Sequence, residues 1–327
     1  MVKKIFITGG AGYVGAVLVP YLLEKGHKVT VLDLMIYGED VLPSHKNLKK
    51  IKGDIRDQNL LNKELQNNDI LIHLACISND PSFELNPKLG KSINFDAFEP
   101  LVKISRKSNI NRFIYASSSS VYGIKKEKDV TEDMSLEPLT DYSKFKGECE
   151  KILNTYKSDD FITTTIRPST VCGYARRQRL DLVVNILTNH AFHKREIKVF
   201  GGEQLRPNIH IFDMVRAYEC LLNAKRELVT GKIFNAGYEN QTVNHLASQV
   251  KKVIGDDVEI KQLESNDNRS YHISSKKIEK ELGFKTVKTI EDAIKDLKNA
   301  FDEKKLVNTL EDEKYFNIKR MNNINLK

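Results

Sequence analysis

Apolar positions near the start of the chain change period within a few residues. The run Ile5-Phe6-Ile7 reads as a strand buried on both faces, and the spaced set Val14, Val17, Leu18, Tyr21, Leu22 follows the repeat of a helix. Between them lies Thr8-Gly9-Gly10-Ala11-Gly12-Tyr13-Val14-Gly15. The alternation continues. Lys28-Val29-Thr30-Val31-Leu32 predicts a second strand ending in Asp33, Ile51-Lys52-Gly53-Asp54 the end of a third, and Ile70-Leu71-Ile72-His73-Leu74 a fourth. A helical stretch through Ile93, Ala97, Leu101 and Ile104 precedes the strand Arg112-Phe113-Ile114-Tyr115-Ala116. A helix opening near Asp141 precedes a strand over 161–166. Strands alternating with helices predict an α/β fold with a doubly wound parallel sheet. Right-handed crossovers would then gather Asp33, Asp54, Ala75, Ser117, Ser118 and the stretch 167–170 along one edge.

Beyond about residue 171 the pattern is less regular. Helical spacing recurs near 181–193, 213–225, 242–254 and 289–301, with short strands between. This predicts a smaller, discontinuous C-terminal substrate domain, about 176–209 plus 239–310. The first domain would take 1–175 plus about 210–238. Residues 311–327 read as a polar, loosely held tail.

The glycine turn is the first chemical signal. Strand, glycine turn and helix let backbone approach a pyrophosphate and aim a helix N-terminus at its charge, although a tight connection without ligand has the same pattern. Asp33 adds to it. An acid about 20 residues past the glycines suits a ribose diol and repels a 2′-phosphate. Leu34 and Met35 follow, with no Arg to accept that phosphate, so the reading is NAD rather than NADP.

A second signal lies in Asp141-Tyr142-Ser143-Lys144-Phe145-Lys146. Tyr142 and Lys146 are four apart and share a helix face. An ammonium beside a phenol favours phenolate, which can exchange a proton with a sugar hydroxyl near neutral pH. The serines at 117–120 end the preceding strand and can share that hydrogen bond.

Composition narrows the field. The 327 residues carry 52 basic and 44 acidic side chains, a net charge of +8. The lysines are scattered and form no basic stripe with aromatics, which argues against nucleic acid. Cys76, Cys149, Cys172 and Cys220 form no CxxC pair, and His190 with His193 has no partner motif, so no metal is expected. Free thiols, no convincing leader and no stretch able to span a bilayer predict a soluble cytoplasmic protein without membrane contact.

Taken together, the chain resembles the extended short-chain dehydrogenase/reductase family, in particular its NAD-dependent nucleotide-sugar epimerases and dehydratases, of UDP-glucose 4-epimerase type. The resemblance rests on Thr8–Gly15, Gly53-Asp54-Ile55-Arg56-Asp57, His73-Leu74-Ala75, Ser117-Ser118-Ser119-Ser120-Val121-Tyr122-Gly123, Tyr142 with Lys146, Ile166-Arg167-Pro168 and Arg206-Pro207-Asn208-Ile209-His210. It implies a Rossmann-type first domain that binds NAD. Gly9, Gly12 and Gly15 would line the pyrophosphate, Asp33 the adenosine ribose, and Asp54 and Ile55 the adenine. Tyr13, Val14, Leu74 and Ala75 would complete the cofactor site. Ser118, Tyr142 and Lys146 would be catalytic, with Tyr142 the base; Tyr142 and Lys146 would also bind the cofactor, Lys146 reaching the nicotinamide ribose. Ser118, Ser119, Arg206 and Arg269 would meet the substrate, a nucleoside-diphosphate sugar, the arginines at its diphosphate.

Two departures from the family's patterns matter. Dehydratases carry Asp-Glu directly after the catalytic Ser or Thr, where this chain has Ser119 and Ser120; that argues against a 4,6-dehydratase. Ser169-Thr170 stands where many 4-epimerases have Asn, and the loop Arg176-Arg177-Gln178-Arg179 faces either phosphate or solvent. The expected activity is 4-epimerisation by transient C4 oxidation. A 4-dehydrogenase or 4-keto reductase, or a non-catalytic NAD-binding protein, remain alternatives. Family members are often dimers, and the stripe Phe95, Phe98, Leu101, Val102 fits either a homodimer interface or core packing.

Overall fold

The computed structural model describes residues 2–127, 129–265, 270 and 272–326. Its first half alternates as the pattern predicts: β1 (Lys4–Thr8), α1 (Gly15–Glu24), β2 (Lys28–Asp33), β3 (Leu48–Lys52), α2 (Gln58–Glu64) and β4 (Ile70–His73). Then come α3 (Asp80–Glu84), α4 (Pro87–Lys91), α5 (Phe98–Lys107), β5 (Arg112–Ala116), α6 (Asp141–Thr155) and β6 (Ile162–Pro168). The seven-stranded sheet runs β10-β6-β5-β4-β1-β2-β3, with β10 at Lys232–Ala236, and every neighbouring pair is parallel.

The continuous apolar runs explain why this sheet is covered on both faces. Ile5, Phe6 and Ile7 are fully buried, but they point alternately into two different cores. Ile5 and Ile7 pack with α1 residues such as Leu18 and Leu22. Phe6 packs on the other side with Phe98, Leu101 and Val102 of α5 and Leu153 of α6. The stripe on α5 is therefore spent largely on the chain's own core. Strand order reverses direction about β1 and β4, which opens a crevice at their C-terminal ends.

The second half adds β7 (Thr170–Cys172), α7 (Val183–Lys194), β8 (Glu196–Phe200), β9 (Leu205–His210), α8 (Ile211–Asn223) and α9 (Arg226–Val229). After β10 follow β11 (Glu239–Thr242), α10 (Val243–Ile254), β12 (Glu259–Leu263), α11 (Lys276–Leu282) and α12 (Ile290–Asp302). Helix α8 returns to the large sheet, where Met214, Val215 and Leu221 join the same core as α1. Helices α7, α10 and α12 instead share a separate core with Ile197 and Val199 of β8. Two small sheets complete this half: β11-β9-β7 and the parallel pair β12-β8.

The last described segment is ordered, unlike the loosely held tail that its polarity suggests. It forms α13 (Asn317–Ile324), and Met321 is buried in the core shared with Phe6 and Ile55. Among the described residues no helix is long and apolar enough to cross a membrane.

Candidate active site

The turn from β1 into α1 is built around backbone contacts that only glycine permits at two places. Gly9 has φ +73°, and a Cβ there would lie 2.5 Å from the Ala75 nitrogen. A Cβ on Gly15 would strike the Gly10 carbonyl. The turn can thus press against the end of β4 while α1 starts directly behind it. Helix α1 has no side-chain cap and no acid in its first turn, so its positive end is available to an anion. Asp33 closes the turn: its carboxylate accepts from the Ala11 N–H at 3.0 Å and the Met35 N–H at 2.8 Å. Burial pushes its pKa up, opposed by those two N–H groups and by the Arg177 guanidinium.

A cavity of about 510 Å³ opens over this turn. Gly9, Gly12, Tyr13, Val14, Gly15 and Asp33 line one part of it, with Asp54, Ile55, Leu74 and Ala75 beside them. Ser118, Ser119, Tyr142, Lys146 and Arg206 line another part. The fold therefore brings all these sequence-predicted residues to one cavity. Arg269 lies outside the described residues.

The catalytic candidates are held by α6 and the end of β5. Thr140 caps α6 by accepting from the Ser143 N–H at 3.3 Å. Tyr142 is thereby set in the first turn and Lys146 one turn later. The Lys146 ammonium donates to the Ala116 carbonyl at 2.7 Å and lies 5.9 Å from the Tyr142 ring centre. Contrary to the expectation of a lowered phenol pKa, burial, then Cys76 and Asp80, push Tyr142 well above its ordinary value; the Asn79 backbone and Arg179 oppose this in part. Ser118 is fixed by a hydroxyl chain: its Oγ lies 2.8 Å from Ser120 Oγ, which accepts from Ser143 Oγ at 2.8 Å. Ser119 and Ser120 are both buried.

The arginine loop is not solvated as a unit. Arg176 is exposed, but Arg177 is only 3% and Arg179 only 8% exposed, and both line the cavity. Arg179 pairs with Asp181 at 2.9 Å and donates to Ser78 Oγ at 3.1 Å. Among the described residues, three buried polar atoms on lining residues have no hydrogen-bond partner: Arg177 Nε, Arg179 Nη2 and Ser169 Oγ. Unspent cationic donors beside an uncapped helix start, with a carboxylate at the strand end, fit a dinucleotide carrying phosphates and ribose hydroxyls.

Sequence reasoning missed Tyr37, Ser78, Asn79, Asp80 and Asn317 as cavity residues. One local signal was available. Asn79 and Asn86 precede short Pro-containing helices that they cap, so a structured segment after β4 was foreseeable. Asn317 gave no such signal, because its partners lie 136 to 280 positions away in the chain.

Comparison with known proteins points to one family. The family model described as NAD dependent epimerase/dehydratase family matches residues 5–237. A Bacillus subtilis protein called an uncharacterized UDP-glucose epimerase is 32% identical over 266 residues, covering 77% of this chain and 82% of the relative. The UDP-glucose 4-epimerase of Lactobacillus helveticus is 28% identical over 274 residues, 78% of this chain and 83% of its own. The fold is similar to that of a Thermotoga maritima UDP-glucose 4-epimerase solved with UDP-glucose: TM-score 0.84, 24% identity, 92% of this chain and 99% of that one. MoeE5, solved with UDP-glucuronic acid and NAD, gives a TM-score of 0.81 at 24% identity, with coverage of 92% and 99%.

Proposed function

The chain belongs to the NAD dependent epimerase/dehydratase family, and within it we propose a nucleotide-sugar 4-epimerase that retains NAD through turnover. Its cofactor is NAD, which supplies a hydride acceptor and donor when bound. Gly9, Gly12 and Gly15 carry the pyrophosphate, Asp33 the adenosine ribose, and Asp54 with Ile55 the adenine. Tyr142 takes the proton from the sugar's O4 and later returns it, while Ser118 shares that oxygen's hydrogen bond. Buried as it is, the phenol ionises only with added positive charge beside it; Arg179 offsets the upward shift in part, and the Lys146 ammonium lies 5.9 Å from the ring centre. Arg206 holds the diphosphate.

The observation that carries this reading is the joint placement of Ser118, Tyr142 and Lys146 in one cavity with Ser119 and Ser120 after the catalytic serine. Hydroxyls do not titrate near neutral pH and cannot replace the acid pair of a 4,6-dehydratase. Relatives named UDP-glucose 4-epimerases support it further. The test is a panel of nucleoside-diphosphate sugars incubated without added NAD and assayed for C4 inversion. At least one inverted sugar is expected. Net formation or consumption of NADH without inversion would instead establish a 4-dehydrogenase or reductase, and no reaction across the panel would reject catalysis at C4.

The same reading includes a cytoplasmic homodimer. Free thiols at Cys76, Cys149, Cys172 and Cys220 suit a reducing compartment. Half-buried Phe95 and Phe145 stack at 4.9 Å beside α5 and α6, leaving apolar surface there for a second copy. Light scattering should give twice the 37.4 kDa chain mass, and the single-chain mass would refute the dimer.

A further inference from the structure

The segment after α12 reaches back across the molecule to the cavity. Asn317 is its hub. The Asn317 backbone N–H donates to Asp181 at 2.9 Å, and its amide nitrogen donates to Ser78 Oγ at 3.0 Å. Its amide oxygen accepts from the Arg177 guanidinium at 2.5 Å and from the Tyr37 hydroxyl at 2.8 Å. One buried side chain thus joins the loop after β2, the loop after β4 and the arginine loop after β7. Arg320 adds a second tie, donating to the Ile36 carbonyl at 2.7 Å and pairing with Glu313.

Arg177 shows what those ties position. Its guanidinium lies 3.6 Å from the Tyr37 ring centre and donates to the neutral oxygens of Gln178 and Asn317. Its Nε, buried and without a partner among the described residues, belongs to a residue lining the same cavity as Asp33. Its charge is felt at the Asp33 carboxylate. A buried cation with an unspent donor calls for an anionic or hydroxyl oxygen. Next to the ribose acid, the phosphates and ribose of the dinucleotide are the chemistry that meets it. Met321 and Leu326 line the cavity as well, so the segment contributes apolar cover besides its polar ties.

We propose that Glu313–Leu326 is a strap over the adenosine end of the NAD site, with Asn317 as the positioning residue that sets Arg177 and Tyr37 there. The proposal rests on the placement of adenosine at Asp33 given above, and not on the reaction at C4. The strap slows NAD release: cofactor leaves only after ties to three separate loops have opened. This is how a recycled cofactor stays bound between turnovers.

The test loads full-length protein with NADH, adds a large excess of NAD, and follows loss of protein-bound NADH fluorescence. Asn317→Ala should release NADH at least about tenfold faster than the wild type, the scale of one or two lost hydrogen bonds. Arg320→Ala, which loosens the strap without touching Asn317, should accelerate release in the same direction. Melting temperatures without cofactor separate this from simple destabilisation: a purely structural role lowers them and leaves release unchanged. Wild-type release in both variants overturns the strap, and if Asn317→Ala does not fold, Arg320→Ala alone decides. Asp33→Asn distinguishes the premise. Faster release there with wild-type release in the strap variants rejects only the strap; wild-type release in Asp33→Asn rejects the placement of adenosine itself.

Discussion

Tyr142 has to be read against its surroundings rather than its spacing from Lys146. The four-residue interval places both on one face of α6, but the ammonium is committed to the Ala116 carbonyl, and burial dominates the phenol. A neutral phenol waiting for compensating positive charge suits a proton shuttle that acts only in the loaded site. If Tyr142 is the base, Tyr142→Phe should lower turnover by about 10²–10⁴-fold, the usual contribution of general acid–base catalysis. NADH release from the variant, followed by fluorescence, should stay within about threefold of the wild type, because the lost hydroxyl serves proton transfer more than binding. A variant that turns over at the wild-type rate would remove Tyr142 from the mechanism. Arg177 and Arg179 teach the converse lesson. In sequence their loop is open between phosphate and solvent; their burial and unspent donors become visible only in the fold.

At the scale of elements, the legible parts were those whose signal is local. The runs that became β1, β4 and β5 and the 3.6-residue spacing of α5, α10 and α12 are properties of short windows. Asp33 was legible for the same reason, since strand end and glycine turn lie close together in sequence. The short helices α3 and α4 escaped periodicity because five residues hold too little of a repeat. Helix α13 escaped because it is polar: its place is fixed by Asn317 and Met321, not by an apolar face. What holds α6 under the site was also hidden. Arg167 of β6 and Glu150 of α6 form a salt bridge at 2.6 Å with each side chain 3% exposed, and Arg167 also donates to the Tyr122 hydroxyl at 2.7 Å. The motif Ile166-Arg167-Pro168 marked the residue but not this role. A buried pair of this kind fixes geometry more than it adds stability, and here it ties α6 to the strand beside it.

For the whole molecule, the consequence that reaches furthest comes from the centre of the large sheet. His73 stands opposite Thr8 where β1 and β4 pair, and its Nδ1 lies 2.7 Å from Thr8 Oγ1. The ring stacks on Tyr115 with centroids 5.8 Å apart. Burial, and secondarily the Lys146 charge, lower its pKa from 6.5 to about 3. Folded protein therefore keeps this imidazole neutral across a range where the unfolded chain protonates it. Above about pH 6.5 both states are neutral and His73 leaves stability unchanged with pH. As pH falls from 6.5 towards 3, the unfolded state gains a proton that the folded state refuses, so this residue alone removes about 1.4 kcal/mol of stability per pH unit. His73→Asn keeps a partner for Thr8 and cannot titrate. Urea unfolding of both proteins at pH 7 and pH 5 should show the wild type losing its advantage on acidification, by about 2 kcal/mol more than any change in the variant. Parallel loss in the two proteins would mean that His73 is protonated within the fold. The prediction concerns the site as much as the sheet: this histidine lies directly before Leu74 and Ala75, against which the glycine turn is pressed. A charge forced into that position would weaken the pairing of β1 with β4 at the crevice proposed to hold the cofactor.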